Sequence, residues 1–370
     1  MKTEIWTIVG GGHGGQTFAG HMALLGKRVR LYTKSQSKVD AINETRQIIL
    51  KHSIEGIGKI EFATNDIAKA IKGATHIVMI LPSNWHNQTT KAMVPFLEDG
   101  QYILILPEAS CGAISFRRVL KDMGCKKKVI VGAGCTLPYA TRSEEPGVCY
   151  VCGVKKEVKI AALPASDNTR LEAAFCPSFP CFKICNNVIE TSLDNINAMM
   201  HPGPILLNIS RFEAIPEQRY EYYREGITPS IGSLLESMDI ERIAVAKAYG
   251  IEQRSLKRTY IEMYHCGNDS MPLWKLIQNN DGYIGIMNAK SLKERYVLED
   301  IPYSLVAISA LGQIARVPTP CIDAVCTLGY GILREDLEIG RTAKNLGIDK
   351  MTKDMLLQYV LLGDCDSIND

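Results

Sequence analysis

The sequence contains no stretch of about 18 consecutive apolar residues, the length that a membrane-spanning helix needs, and no long run of one charge sign. The first absence argues against a membrane protein. The second, with 42 basic residues set against 40 acidic ones and a formal net charge of +2, removes the electrostatic footprint expected of a protein that binds nucleic acid. Internal repeats and low-complexity linkers are also lacking, which leaves no compositional sign of disorder. The N-terminal MKTEIWTIV runs directly into an apolar strand without a small-residue cleavage site, so no signal peptide is expected and the chain reads as cytoplasmic. Twelve cysteines are present, but scattered through a long chain they read as reduced thiols rather than a disulfide framework. Cys149 and Cys152 form a CxxC in the alternating run VCYVCGV. With no second ligand pair at a zinc spacing, no metal is expected.

What is present is ordinary globular material: 46% hydrophobic and 22% charged residues in 370, enough for two cores. Apolar runs at 3–9, 29–33, 76–82, 102–107 and 128–134 read as strands, and helical spacing appears between them at 13–26, 39–48, 66–73, 86–98 and 115–123. Strands this apolar, alternating with helices, imply a parallel sheet covered on both faces. The segment 147–163 reads as a hairpin or strand pair turning at Lys155–Lys156 and extending that sheet, and CFKICNNV as a further strand. Beyond residue 188 almost every periodic segment is helical. The expectation is α/β: a doubly wound domain over 1–188, then a mostly α-helical substrate and catalytic domain over 189–370.

Directly after the first strand stands IVGGGHGGQTFAG, in which Gly10, Gly12 and Gly15 form G-x-G-x-x-G at the start of a helix. The first glycine permits a tight turn, the second lets the backbone approach a pyrophosphate, and the third brings helix and strand close. This context predicts a Rossmann domain that binds a nicotinamide dinucleotide. The second strand ends in Tyr32-Thr33-Lys34-Ser35, with no acid to hold a ribose 2′-hydroxyl. Thr33, Lys34 and Ser35 suit a 2′-phosphate, so NADPH is expected in preference to NADH; the same residues also fit a solvated loop.

In the second half, His201 stands in NINAMMHPGPILLN, where Pro202 and Pro204 must bend or break a helix. Histidine suits proton transfer at a carbonyl or carbinol oxygen while hydride moves elsewhere. Arg295 precedes Asp300 by five residues in ERYVLEDIPYSLV. An arginine can grip a carboxylate and an aspartate can brace an imidazole, although Lys293, Glu294 and Glu299 around them also fit a solvated face. Glu108, after the fourth apolar strand, fits a helix cap or a substrate contact. Tyr220, Tyr222, Tyr223 and Trp274 fit a pocket lining or plain core.

The GGGHGG loop, TLPYATR at 136–142, KKEVKIAALPA, N-x-x-x-H-P-G-P at 197–204 and R-x-x-x-x-D-I-P at 295–302 together resemble the opine dehydrogenase family of octopine/nopaline type over most of the chain. The resemblance implies catalysis where the two domains meet. It also implies reductive condensation of an α-keto acid, commonly pyruvate, with the amine of an amino acid, the imine being reduced by NAD(P)H. It makes His201 the proton donor and acceptor, Asp300 its partner, Arg295 the carboxylate clamp and Asn197 a substrate contact. Two other readings compete: a reductase of one small keto or hydroxy acid, like glycerol-3-phosphate or ketopantoate reductases, and a non-catalytic NADPH sensor. An apolar face on the C-terminal helices fits a homodimer interface or the domain core.

Overall fold

The computed structural model describes residues 4–215, 217–334 and 338–363. Two compact units are present. Of the described residues, one unit comprises 4–108, 112–191 and 358–363; the other comprises 109–111 and those within 192–357.

The apolar run Ile5–Val9 forms β1, with four of its five residues buried, as a strand covered on both faces requires. It lies between β2 (Arg28–Tyr32) and β6 (His76–Met79), parallel to both, in the register Val9 opposite Tyr32 and Trp6 opposite His76. Between them in sequence come β3 (Gln47–His52), β4 (Gly56–Lys59) and β5 (Phe62–Thr64). After β6 follow β7 (Tyr102–Ile105), β8 (Ile130–Gly134), β9 (Tyr139–Glu145), β10 (Val148–Val154), β11 (Val158–Leu163) and β12 (Phe182–Ile184). Among the described residues the main sheet has eight strands in the order β12-β11-β8-β7-β6-β1-β2-β5. Its run from β5 to β8 is a doubly wound order, with the reversal beside β1. A second sheet, in the order β4-β3-β10-β9, packs on helix α1 (His13–Leu24). Ile48 of β3 lies against Gly20 of α1, and a Cβ on Gly58 of β4 would fall 2.1 Å from the Gly20 carbonyl oxygen. These small residues let the helix lie between two sheets.

The second sheet corrects two expectations. The helix predicted over 39–48 is α2 (Gln36–Thr45), closed by Arg46 in the left-handed region, after which the chain turns into β3. The expected strand pair at 147–163 does not form a hairpin: β10 pairs with β3 and β9, whereas β11 joins the main sheet antiparallel to β8. Alternation in β10 also separates the CxxC thiols, with Cys149 in the core and Cys152 exposed.

The second unit is helical apart from one isolated bridge, Glu221 to Met287, among the described residues. Its longest helix, Pro229–Ala248, starts with proline at the first position, where the missing N–H costs nothing. Arg242 of this helix is fully buried, yet it bonds the Asp239 carboxylate and the carbonyls of Leu193 and Arg254. Satisfied in this way, the ion pair ties the helix to the carbonyl of Leu193 and to the chain that follows it at Arg254. The unit boundaries differ from the expected 1–188 and 189–370. The chain from Gln358 returns to the first unit, where Gly363 meets Pro164, and Ala109–Cys111 joins the second, where the Ser192 hydroxyl accepts from the Cys111 N–H.

Candidate active site

In the first unit the glycine loop has the form of a dinucleotide cradle. Gly10 takes φ +134°, and a Cβ there would lie 2.0 Å from the Ile80 carbonyl oxygen. A Cβ on Gly15 would lie 1.7 Å from the carbonyl of Gly10, closing helix onto strand. Gly12, by contrast, faces open space at the N-terminus of α1, where no acidic side chain occupies the first turn. Tight packing beneath and room above, at the positive end of a helix, fit a pyrophosphate.

The β2 end divides the three residues singled out for a 2′-phosphate. Thr33 is buried against Gly11, and its hydroxyl accepts from the Ser35 N–H. Ser35 caps α2, and its hydroxyl also bonds Ser37. Lys34 is exposed, 4.1 Å above the Trp85 ring and bonded to Gln88. Sequence reasoning missed Lys38, whose ammonium reaches back to the Gly11 carbonyl at 3.1 Å. Its position three residues beyond the Ser35 cap was the available signal. It also missed His13, whose Nδ1 accepts from the Ser143 N–H and which is thereby oriented at the loop.

In the second unit His201 is where two short helices, Asn197–Met200 and Pro202–Leu207, meet. Pro204 has no N–H to give the Met200 carbonyl. The Tyr222 hydroxyl supplies a donor there instead, at 3.5 Å from that oxygen and 2.6 Å from the His201 carbonyl. The break thus holds the His201 backbone while its ring points elsewhere. Asp300 precedes a π-helical turn, Ile301–Leu305, in which the chain accommodates Pro302 before continuing as the helix Val306–Ala315. The expected helix disruption at Ile301 takes this widened form.

The structure brings His201 and Asp300 together, although they are 99 residues apart: Nδ1 lies 2.7 Å from the carboxylate, and both residues are buried. An ionised carboxylate only accepts, so Nδ1 carries the proton and Nε2 the lone pair. Nε2 accepts from the Tyr223 hydroxyl at 2.9 Å. The imidazole stacks on Tyr296 with centroids 4.0 Å apart, and Tyr223 stacks on Tyr283, whose hydroxyl bonds Tyr260. Burial holds the Tyr222 and Tyr223 phenols well above their ordinary range, so both are neutral donors.

Arg295 lies one turn before Asp300, exposed, and among the described residues it makes no ion pair. Asn197 is half-buried at the start of its helix, and its side-chain amide makes no hydrogen bond among the described residues. Glu108 is a cap: it is fully buried and accepts from the N–H of Ala113 in the helix Gly112–Asp122 and from the Thr191 hydroxyl. The predicted aromatics divide, with Tyr222 and Tyr223 beside His201 and Trp274 packed on Gly232.

Residues 184–333 match a family model described as the α-helical domain of NAD/NADP octopine/nopaline dehydrogenase, and residues 6–108 match the N-terminus of NAD-dependent glycerol-3-phosphate dehydrogenase. An opine dehydrogenase of Arthrobacter sp. (strain 1C) is 34% identical, over 95% of this chain and 97% of that protein. Among solved structures, octopine dehydrogenase with NADH and L-arginine superposes with a TM-score of 0.80 at 21% identity, covering 96% of this chain and 98% of that one. Yersinopine dehydrogenase with NADP+ bound gives 0.70 at 14% identity, covering 97% and 98%. The chain therefore belongs to the opine dehydrogenase family, and its reaction class is that of an NAD(P)-dependent oxidoreductase acting on a CH–NH donor.

Proposed function

We propose that this enzyme condenses an α-keto acid, pyruvate in the first instance, with the amino group of an amino acid and reduces the resulting imine to a secondary amine dicarboxylic acid. The His201–Asp300 pair carries the reading. A buried imidazole with Nδ1 protonated against a carboxylate is a base at Nε2, and its charged form is stabilised once it accepts a proton. The bound dinucleotide supplies the hydride. Gly10, Gly12 and Gly15 would cradle its pyrophosphate, with Lys34, Ser35 and Lys38 around the adenosine ribose and Thr33 packed behind the loop. The exposed Lys34, without a carboxylate at the end of β2, supports a preference for NADPH over NADH.

His201 takes a proton from the ammonium of the amino acid, freeing its lone pair for the keto carbon. It returns that proton to the departing hydroxyl, so that water leaves. Arg295, a guanidinium without an ion-pair partner among the described residues, suits the bidentate grip on a substrate carboxylate. Asn197, whose amide is likewise unengaged among the described residues, is placed one helical turn before His201 to contact the same substrate.

The test is turnover with pyruvate, each of the twenty amino acids and NADPH, followed at the nicotinamide absorbance. His201→Ala is expected to lower kcat by about two to four orders of magnitude with dinucleotide binding retained. Near-normal turnover in that variant removes the assignment, and full activity with a keto acid alone favours the single-substrate reductase.

A further inference from the structure

We propose that His201 exchanges its proton with the substrate through the Tyr223 hydroxyl, so that the working acid–base unit is the chain Asp300–His201–Tyr223. The inference rests on the reading of His201 given above. Neither nitrogen of the His201 ring is free: Nδ1 is taken by Asp300 at 2.7 Å and Nε2 by Tyr223 at 2.9 Å. One face of the ring is covered as well, since Tyr296 stacks on it, and Tyr222 approaches it at a steep angle. The imidazole itself is only 3% exposed.

Tyr223 is not placed to swing aside. Its ring is stacked on Tyr283 with centroids 3.9 Å apart, Tyr222 meets it edge-on at 4.9 Å, and Tyr283 is tied through its hydroxyl to Tyr260. With its own proton donated to Nε2, the Tyr223 oxygen keeps lone pairs that can accept one more proton donor. Among the described residues its hydroxyl has no other side-chain hydrogen-bond partner, and the half-buried Tyr296, next in sequence to Arg295, stacks on the same imidazole. The oxygen is therefore the link that follows Nε2 in the hydrogen-bond chain from Asp300.

The steps balance. The substrate ammonium gives a proton to the Tyr223 oxygen as the phenol proton passes to Nε2, leaving a neutral amine and an imidazolium held by Asp300. The amine nitrogen bonds to the keto carbon, and after an internal proton shift the carbinolamine loses its hydroxyl. The imidazolium proton returns through Tyr223 and leaves with that hydroxyl as water. An iminium remains, which is reduced by the hydride of the dinucleotide, and the product amine takes its last proton from solvent.

Tyr223→Phe retains the ring that stacks on Tyr283 and removes only the relay oxygen. With pyruvate and the best amino acid from the panel, its kcat/KM for the amine is expected to fall by about 10- to 100-fold, less than for His201→Gln because water can substitute imperfectly. In mixtures of H2O and D2O, native kcat/KM is expected to bow downward as two protons move together, and the residual rate of Tyr223→Phe to lose that curvature. A linear native dependence overturns the relay whether or not the variant folds. If His201→Gln is crippled while Tyr223→Phe is as fast as native or faster, the acid–base reading stands and Tyr223 is only a cover over Nε2. If His201→Gln turns over normally, the acid–base reading itself falls.

Discussion

Lys34 and Lys38 bear on the choice of cofactor in different ways. Lys38 is directed at the Gly11 carbonyl and supports the loop whichever dinucleotide is bound. Lys34 stands at the end of β2 with its ammonium exposed beside Trp85, where a 2′-phosphate would be met. A charge-assisted hydrogen bond to such a group contributes on the order of 1.5–3 kcal/mol. Lys34→Ala is therefore expected to lower the ratio of kcat/KM for NADPH over NADH by about tenfold or more. A ratio unchanged in the variant, or a native preference for NADH, would assign Lys34 to the surface. At this scale the sequence was informative about chemistry and less so about exposure. His201 and Asp300 were legible as a pair through the family pattern, whereas spacing alone left Asp300 among surface charges. Tyr223 was legible only as one aromatic among several, because a hydrogen bond to an imidazole 22 residues away depends on the fold of 201–223 and on no local period.

Among elements, the strip formed by β1, β6 and β7 contains a titratable group where a hydrocarbon is expected. His76 on β6 lies flat between Trp6 of β1 and Tyr102 of β7, with centroids at 4.2 and 5.4 Å, and Phe175 meets it edge-on. Burial pushes its imidazole down to about 4 from an ordinary 6.5. Below about pH 6.5 the unfolded chain takes up a proton that the folded one refuses, so stability present at neutral pH is lost as pH falls toward 4. Fully expressed, the loss is about 3 kcal/mol. His76→Phe, which keeps an aromatic ring in the stack, is expected to flatten the fall of Tm between pH 6.5 and 4.5; parallel curves for native and variant protein would assign the acid sensitivity elsewhere. The strands of the main sheet were readable because apolar runs bounded by turns leave few alternatives. The second sheet was not. β3 is bounded by polar, exposed residues and β4 is a four-residue strand with two glycines, and β10 and β11 look like one hairpin until their partners, far away in sequence, are known.

For the whole molecule, the chain passes between its two units at residues 108–112, at 191–192 and at 357–358, so a cut near the middle of the sequence does not separate them. Hydrophobic patterning showed two cores but not which core the last helix serves. That helix, Lys353–Leu362, divides its loyalty: Leu356 and Val360 are both fully buried, but only Val360 belongs to the first unit. Deleting residues 358–370 removes Val360 from its site, at a cost of about 2 kcal/mol for a valine-sized side chain. The expected result is a Tm lowered by roughly 4–8 °C, with weaker retention of the dinucleotide by the first unit. An unaltered melting curve would mean that the C-terminal segment is dispensable to it.

A keto acid is an electrophile, and an unprotected imidazole nitrogen in the resting enzyme would be open to attack by reactive carbonyl compounds. On the reading proposed above, one nitrogen of His201 held by a carboxylate and the other by a phenol would keep that base chemically silent until an amine arrives to draw on it.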